Sequence, residues 1–568
     1  MHIDVVPNRN SRPAVLLRES YREDGKVKKR TLANLSALPA DQIEAIRGIL
    51  RGEKLVPVTN LFEAVSSAQH GNVDAVRTAM IRLGFDSLLS SRPCRDRDLA
   101  VAMIAARILE PQSKLATTRW WHVTTLPGIL GVQDATEDEL YSAMDWLLGS
   151  QERIEKKLAA RHLREDGLVL YDLTSSYFEG TKCPLAALGH SRDEKKGKLQ
   201  VNYGLLTNER GCPVSVSVYD GNTGDPTTLL EQVDKVRGEF GVDRLVLVGD
   251  RGMITQKQIN GLKGTAGVEW ITALRTGSLR ELLTGGYLQL GLFDDRNLFE
   301  MTHPDYPGER LIACRNPALT RLRAQKRQDL LEATMRELEK VKGMTARGRL
   351  SGKANIGVRI GRVINKYKVA KHITLSVRDD GFDFALREDR VAAEAALDGI
   401  YVVRTSLPRE RLGAEDVVRS YKNLSQVERA FRTLKSIDLK VRPIRHWVEN
   451  RVRAHIFLCM LAYYVEWHMI DAWRPLLFAD EDQEGKKERD PVAPARRSKS
   501  ALAKVRSHVL DDGSVVHSFQ TLMKDLGSIV RNICRRKGAA PSEATFEITT
   551  TPSVPQARAF ALLKTIRV

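Results

Sequence analysis

Two short apolar runs, each ending in an aspartate, constrain the fold of this 568-residue chain more than any other feature. They are Leu168-Val-Leu-Tyr-Asp172 and Leu245-Val-Leu-Val-Gly-Asp250. A strand that is apolar on both sides has both faces covered, as in a sheet flanked by helices. An aspartate closing such a strand is costly unless it binds something or caps a turn. Asp250-Arg-Gly252 also suits a plain strand-to-turn junction. Apolar periodicity predicts strands over 168–172, 201–207, 214–219, 245–249 and 268–274, and a helix over 229–240. If the fourth strand returns beside the first, Asp172 and Asp250 lie side by side.

A third carboxylate follows in Tyr421-Lys-Asn-Leu-Ser-Gln-Val-Glu428-Arg-Ala-Phe-Arg432-Thr-Leu-Lys435. Tyr421, Glu428 and Lys435 recur every seven residues, two turns of a helix, and so share one face. Val427, Phe431 and Leu434 give the same helix an apolar side. A carboxylate flanked by a phenol and an ammonium suits a metal-dependent site that handles phosphate. A solvated helix face gives the same pattern. The stretch from Asp250 to Glu428 is too long for one connection in a compact fold, so an insertion at about 276–414 is expected.

The combination of strand-Asp, strand-Asp-x-Gly and Tyr-x2-x-x3-Glu-x6-Lys resembles the acid-triad (DDE) insertion-sequence transposases. The nearest group is the IS-four superfamily, in its IS-sixteen-thirty-four branch. The matching positions are Asp172, Asp250, Gly252, Tyr421, Glu428 and Lys435, while Leu424 stands where the signature usually has Arg. Gly189-His-Ser-Arg-Asp193 leading to Gln200, Gly221-Asn222-x-x-Asp225 and Asp398-Gly-Ile-Tyr-Val-Val-Arg-Thr405 are also similar to the family. The resemblance spans residues 165–470 well and the ends loosely.

It implies an enzyme that binds the ends of an insertion sequence, cleaves the DNA there and joins the 3′ ends to target DNA. It implies Asp172, Asp250 and Glu428 as catalytic residues and metal ligands, with Mg²⁺ or Mn²⁺ as cofactor and two ions per site. The partners implied are double-stranded DNA, both terminal inverted repeats and target, and a second copy of the chain or more. Tyr421, Arg432 and Lys435 are the expected DNA contacts near the triad. Two alternatives stand beside this: a metal-dependent nuclease of the same fold without strand transfer, and a DNA-binding regulator with an inactive site. A tyrosine recombinase would need an Arg/His-rich site, and Arg445-His446 and Arg453-x-His455 read better as core or helix-end residues.

A net charge of +18 fits a nucleic-acid partner, although a generally basic soluble protein would share it. The six cysteines form no Cys-x-x-Cys pair, and no Cys/His spacing reads as a zinc site. They read as reduced thiols. The start of the chain lacks signal-peptide character, and the most apolar run, 454–465, is too short to span a bilayer. A cytoplasmic location with no membrane partner follows, on the bacterial nucleoid when DNA is bound.

The expected class is α/β: a ribonuclease-H-like core interrupted by a β-rich insertion with a basic helix, after a mainly helical N-terminal region. The expected divisions are a β-hairpin region 1–60, a helical block 61–165 and core 166–275. The insertion at 276–414, core with the Glu helix at 415–475, a linker at 476–503 and a small region at 504–568 follow. Glu23-Asp-Gly-Lys26 signals a hairpin turn. The helical block is either a DNA-binding element or a supporting bundle. From Arg321 to Lys353 the insertion carries ten Lys/Arg against four Asp/Glu. Arg321, Arg323, Lys326 and Arg327 could follow a DNA backbone or simply be solvated.

Overall fold

The computed structural model describes residues 1–9, 11–53, 61–293, 297–493 and 496–568. Residues 10 and 54–60 of the expected N-terminal region, 294–296 of the insertion and 494–495 of the linker lie outside the described residues. The chain forms two compact units. One is Met1–Ala68 with Val530–Thr550, and the other is Gln69–Ile529 with Thr551–Val568.

In the smaller unit, β1 (His2–Val6), β2 (Ala14–Glu23) and β3 (Lys26–Asn34) form an antiparallel sheet. Asp24 and Gly25 join β2 to β3 with φ of 47° and 73°. Two successive positive φ angles are what a type I′ hairpin turn needs, and Asp-Gly supplies them cheaply. A second sheet sets β4 (Phe62–Gln69), β15 (Val530–Arg536) and β16 (Phe546–Thr549) in the order β16-β15-β4. Residues 504–568, read from sequence as one small region, are therefore shared between the two units.

The larger unit is built on an eight-stranded mixed sheet. Its strands are β5 (Gly167–Tyr177), β6 (Gln200–Asn208), β7 (Pro213–Tyr219), β8 (Leu245–Val248), β9 (Val268–Ala273), β10 (Leu298–Met301), β11 (Arg310–Arg315) and β14 (Ile400–Thr405). They run in the order β10-β11-β14-β9-β8-β5-β6-β7. β5, β6 and β7 are antiparallel, while β8 pairs parallel with both β5 and β9. All four residues of β8 are buried, as expected for a strand covered on both faces. The helix Leu229–Gly238 makes the crossover from β7 to β8.

The sheet does not stop at β9. β14, β11 and β10, all from the stretch read as a separate insertion, extend it antiparallel. The middle of that stretch has its own core. The helices Pro317–Ala346 and Lys353–Tyr367 pack on the hairpin of β12 (Ile373–Val377) and β13 (Phe382–Leu386) through Leu331, Leu338, Ile356, Ile360 and Phe382. In the insertion, expected to be β-rich, the alternating apolar run from Tyr287 to Phe293 is not a strand. It folds as a turn and a 3₁₀ helix, Leu290–Phe293, because its buried Leu288 and Phe293 fill a small cluster with Leu279, Leu311 and Val402.

A helical layer covers one side. Helix Glu449–Ala472 is buried along most of its length and packs against β7 and the helices Arg95–Leu109 and Glu137–Gly149. A helix that is apolar all round belongs inside. Helix Arg95–Leu109 is buried from Leu99 to Ile108, so these positions serve packing. Among the described residues, no helix is long and apolar enough to cross a membrane. Within the expected linker 476–503, several described residues have partners in the fold. Asp480 accepts from the Ser498 amide at 2.9 Å and pairs with Arg489 at 3.2 Å, and Val492 is buried with its carbonyl accepting from Asn316 Nδ2 at 2.9 Å. Its charges find partners in the fold, which composition does not reveal.

Three of the helical block's basic residues, Arg77, Arg107 and Lys114, are interior. Lys114 is 4% exposed, and burial, then the nearby Arg107 charge, push its amine down to about 7. The native state thus bears the penalty fully below about pH 7. The penalty shrinks as pH rises and vanishes near the ordinary value of 10.5, where both states are neutral. Lys114→Met is expected to raise the melting temperature at neutral pH, and to flatten the gain in stability that the wild type shows between pH 7 and 10. Thermal melts across that range check it.

Candidate active site

The parallel pairing of β5 with β8 sets the site. In its register Leu170 faces Val248, so two residues further along each strand stand Asp172 and Asp250. Asp172 is half-buried, and its Oδ1 accepts from the Leu173 amide at 2.8 Å. Burial pushes its carboxyl up to about 7, and the negative charge of Asp250 adds to the push. Arg192 opposes the shift and Asp225 adds to it. Asp250 is exposed. Its Oδ1 accepts from the amides of Gly252 at 2.9 Å and Met253 at 2.7 Å, so it caps its own turn. The turn-capping reading of this aspartate therefore holds for Oδ1, and Oδ2 makes none of these bonds.

Glu428 comes from a helix that packs against β5. The continuous helix expected from Tyr421 to Lys435 is in three pieces: Ala414–Lys422, Leu424–Arg432 and a π turn over Thr433–Ile437. At Asn423 the amide reaches both Arg419 and Ser420 carbonyls, which tightens the winding there. The π turn then loosens it. The face shared at seven-residue spacing is therefore interrupted on both sides of Glu428.

Tyr421 stays with the carboxylates. Burial pushes its phenol up to about 12, and the charges of Asp250 and Glu428 add to this while Arg251 opposes it. Lys435 instead turns inward, 7% exposed, and its Nζ lies 2.9 Å from Asp193 Oδ1. Arg432 is exposed. Leu424, at the signature's usual arginine position, is buried and packs in the core.

Asp193, which sequence reasoning quoted without a role, is the hub beside the site. Its side chain is 1% exposed. It pairs with Arg442 as well as Lys435, and its Oδ2 accepts from the Tyr177 amide of β5 at 3.0 Å. Next to it, Arg192 pairs with Asp225, which ties the two glycine-containing loops together. Gln200 Nε2 donates to the Gly221 carbonyl at 2.7 Å, and Asn202 Nδ2 to the Thr223 carbonyl at 2.9 Å. A Cβ on Gly221 would collide with the Gln200 carbonyl and sit 2.8 Å from that of Ala187. Backbone atoms cannot step aside, and overpacking of this kind costs roughly 1–3 kcal/mol. Gly221→Ala is therefore expected to lower the urea midpoint and to reduce cleavage with it.

The insertion residues lie on a different element. Arg321, Arg323 and Lys326 are exposed on helix Pro317–Ala346. Arg327 on the same helix is bound to the buried Asp398 by two hydrogen bonds, of 3.0 and 2.5 Å. Arg404, at the end of the same Asp398 segment, is buried against Glu309 at 2.6 Å. His446 and His455 are core groups, both held neutral by burial, and His455 Nε2 sits 3.2 Å from the Val441 carbonyl.

Asp172, half-buried and pushed towards its neutral form with the Asp250 charge beside it, is a carboxylate whose ionisation a bound cation would relieve. The donor set is all oxygen, which suits a hard divalent ion. The three carboxylates are not drawn within 4.8 Å of one another.

The profile of a family described as "Transposase DDE domain" matches residues 164–465, which contain all three acids. The chain belongs to the DDE transposase family. An N-terminal profile, "IS1634 family transposase, N-terminal domain", matches residues 3–56. This transposase is thus a DNA-cleaving and strand-transferring enzyme of the IS1634 branch, and its chemistry depends on divalent metal. No curated protein matches the chain. Among solved structures it is similar to a piggyBac transposase synaptic complex with hairpin DNA, determined by cryo-EM. That match has 8% identity, covers 80% of this chain and 77% of that one, and has a TM-score of 0.35. So low a score adds nothing to the assignment.

Proposed function

We propose that this transposase works through a ribonuclease-H-like core in which Asp172, Asp250 and Glu428 are the catalytic metal ligands. The observation that carries the proposal is the parallel pairing of β5 with β8, which sets Asp172, in the middle of β5, beside Asp250, two residues past the end of β8. Three antiparallel strands, a crossover helix and a fourth strand returning beside the first support the fold reading. The cofactor is Mg²⁺ or Mn²⁺, with two ions per site. Such a pair, when bound, would activate the attacking oxygen and stabilise the leaving one. The protein's own groups hold the ions, and Tyr421 and Arg432 orient the DNA strand. Lys435 reaches DNA only by leaving Asp193. Arg321, Arg323, Lys326 and, with its Asp398 pair intact, Arg327 extend the DNA surface along the insertion helix.

The substrates are the terminal inverted repeats of the element and the target DNA. Two ends must be held together for joining, so the working form is a dimer or larger, acting in the cytoplasm on nucleoid DNA. Residues 166–275 and 415–475 make the core, and 276–414 is the family's insertion grafted onto the same sheet. Mn²⁺ binding followed by electron paramagnetic resonance, on protein with an element-end duplex, tests the reading. Two ions per chain are expected for wild type and fewer for Asp250→Asn; unchanged stoichiometry in that variant would overturn it.

A further inference from the structure

Outside the acid site, three ligand-type side chains converge where sequence spacing gave no sign of it. His162, Cys212 and His468 bring one donor atom each to within 4.8 Å of one another, the one such group of three among the described residues. His162 closes helix Gln151–His162, Cys212 sits in the turn between β6 and β7, and His468 lies in the last turn of helix Glu449–Ala472. We propose that this cluster is a second metal site, for a thiophilic divalent ion of the Zn²⁺ class, that braces helix, hairpin and buried helix together.

The geometry is close to what such an ion requires. Cys212 Sγ lies 3.8 Å from His468 Nε2. Zn–S and Zn–N bonds at a tetrahedral angle would put the two atoms about 3.6 Å apart. The His162 and His468 rings are 5.6 Å apart by centroid. His162 Nε2 lies 3.0 Å from the Tyr464 hydroxyl, a partner of the kind that fixes the ring of a metal-binding histidine. Both imidazoles are held neutral by burial and so present free lone pairs at neutral pH. Cys212 is fully buried and, with burial raising its thiol, is protonated without metal. Binding therefore releases one proton, from Sγ to solvent, as the metal–sulfur bond forms.

Charge is not uniformly favourable. Arg161 and Arg210 are close enough to depress both histidines. Against them stand the new thiolate, Asp471, and the C-terminal ends of two helices, whose dipoles favour a cation. Asp471 already pairs with Arg210 at 2.8 Å, which ties up that positive charge. A cavity of about 510 Å³ is lined by His468 with Asp471, Arg474 and Glu481, so one of the three ligands borders open space. The donor set of two nitrogens and one sulfur excludes Mg²⁺, so this site does not compete with the acid triad for its ion.

The test uses the full chain, stripped with chelator and titrated with Co²⁺ in excess Mg²⁺. Wild type is expected to show a thiolate-to-Co²⁺ charge-transfer band that saturates at one equivalent. The same band is expected in the combined Asp172→Asn, Asp250→Asn, Glu428→Gln variant and in Cys94→Ser, which removes the exposed thiol. Its loss in Cys212→Ser supports the proposal. Absence of the band from wild type, or its survival in Cys212→Ser, overturns it. Should Cys212→Ser fail to fold, His162→Gln decides: affinity for Co²⁺ weakened at least tenfold supports the site, since even indirect partners of a ligand are worth about 10–100-fold. Unchanged affinity overturns it.

Discussion

Asp172→Asn, Asp250→Asn and Glu428→Gln are each expected to cut strand cleavage by roughly 10³-fold or more while leaving specific DNA binding intact. Loss of one metal ligand removes several kcal/mol of charge stabilisation from the transition state, and each 1.36 kcal/mol is about tenfold in rate. The basic residues that hold DNA are untouched, and each change removes a negative charge, so affinity is expected to hold or rise. Unfolding cannot mimic the result at Asp172. Its carboxyl is raised to about 7 by burial and by Asp250, so ionisation opposes folding. Relative to the neutral amide, that penalty is absent below about pH 4, grows as pH rises towards 7, and is complete above it. Metal-free Asp172→Asn is therefore expected to melt higher than wild type at pH 8 and equally at pH 4. Cleavage assays on an element-end duplex, mobility shifts at matched salt and melts at the two pH values check the three parts. Cleavage retained in Mg²⁺ by any one variant would remove that residue from the triad.

How much of this was legible in the sequence depends on how local the cause is. The first half of β5 and all of β8 are legible because a strand buried on both faces is apolar there, and their aspartates stand out against that background; the buried Thr174, Ser175 and Ser176 that continue β5 carry no such signal. The β2–β3 turn was visible because Asp-Gly alone meets its backbone demands. The division of the Glu428 helix was not. Nothing in Asn423 or Thr433 forbids a helix, and the π turn packs against helix Glu449–Ala472, a tertiary contact. β14 could be read as a strand but not its neighbours, since pairing with β9 and β11 is a tertiary choice. The role of Asp193 is not legible in sequence, because its partners Lys435 and Arg442 lie more than 200 residues away.

That hub yields the second large effect. Asp193→Asn is expected to destabilise the larger unit by about 3–5 kcal/mol, because it leaves Lys435 and Arg442 facing each other with no countercharge in a buried place. Lys435→Met is expected to cost much less. Arg442 still neutralises Asp193, and the methionine fills the same volume. Lys440, exposed two residues before Arg442, is a surface control, and Lys440→Ala is expected to stay within about 0.5 kcal/mol. The ordering Asp193 ≫ Lys435 > Lys440 in urea midpoints is the signature of a lysine held for structure. A lysine held for DNA gives a different one: Lys435→Met would weaken end binding and cleavage strongly with little change in stability. Each mixture of the two has a distinct reading, because only the DNA-facing role depends on salt. Equal midpoints for Asp193→Asn and wild type would show that the ion pairs around Asp193 do not hold the π turn in place.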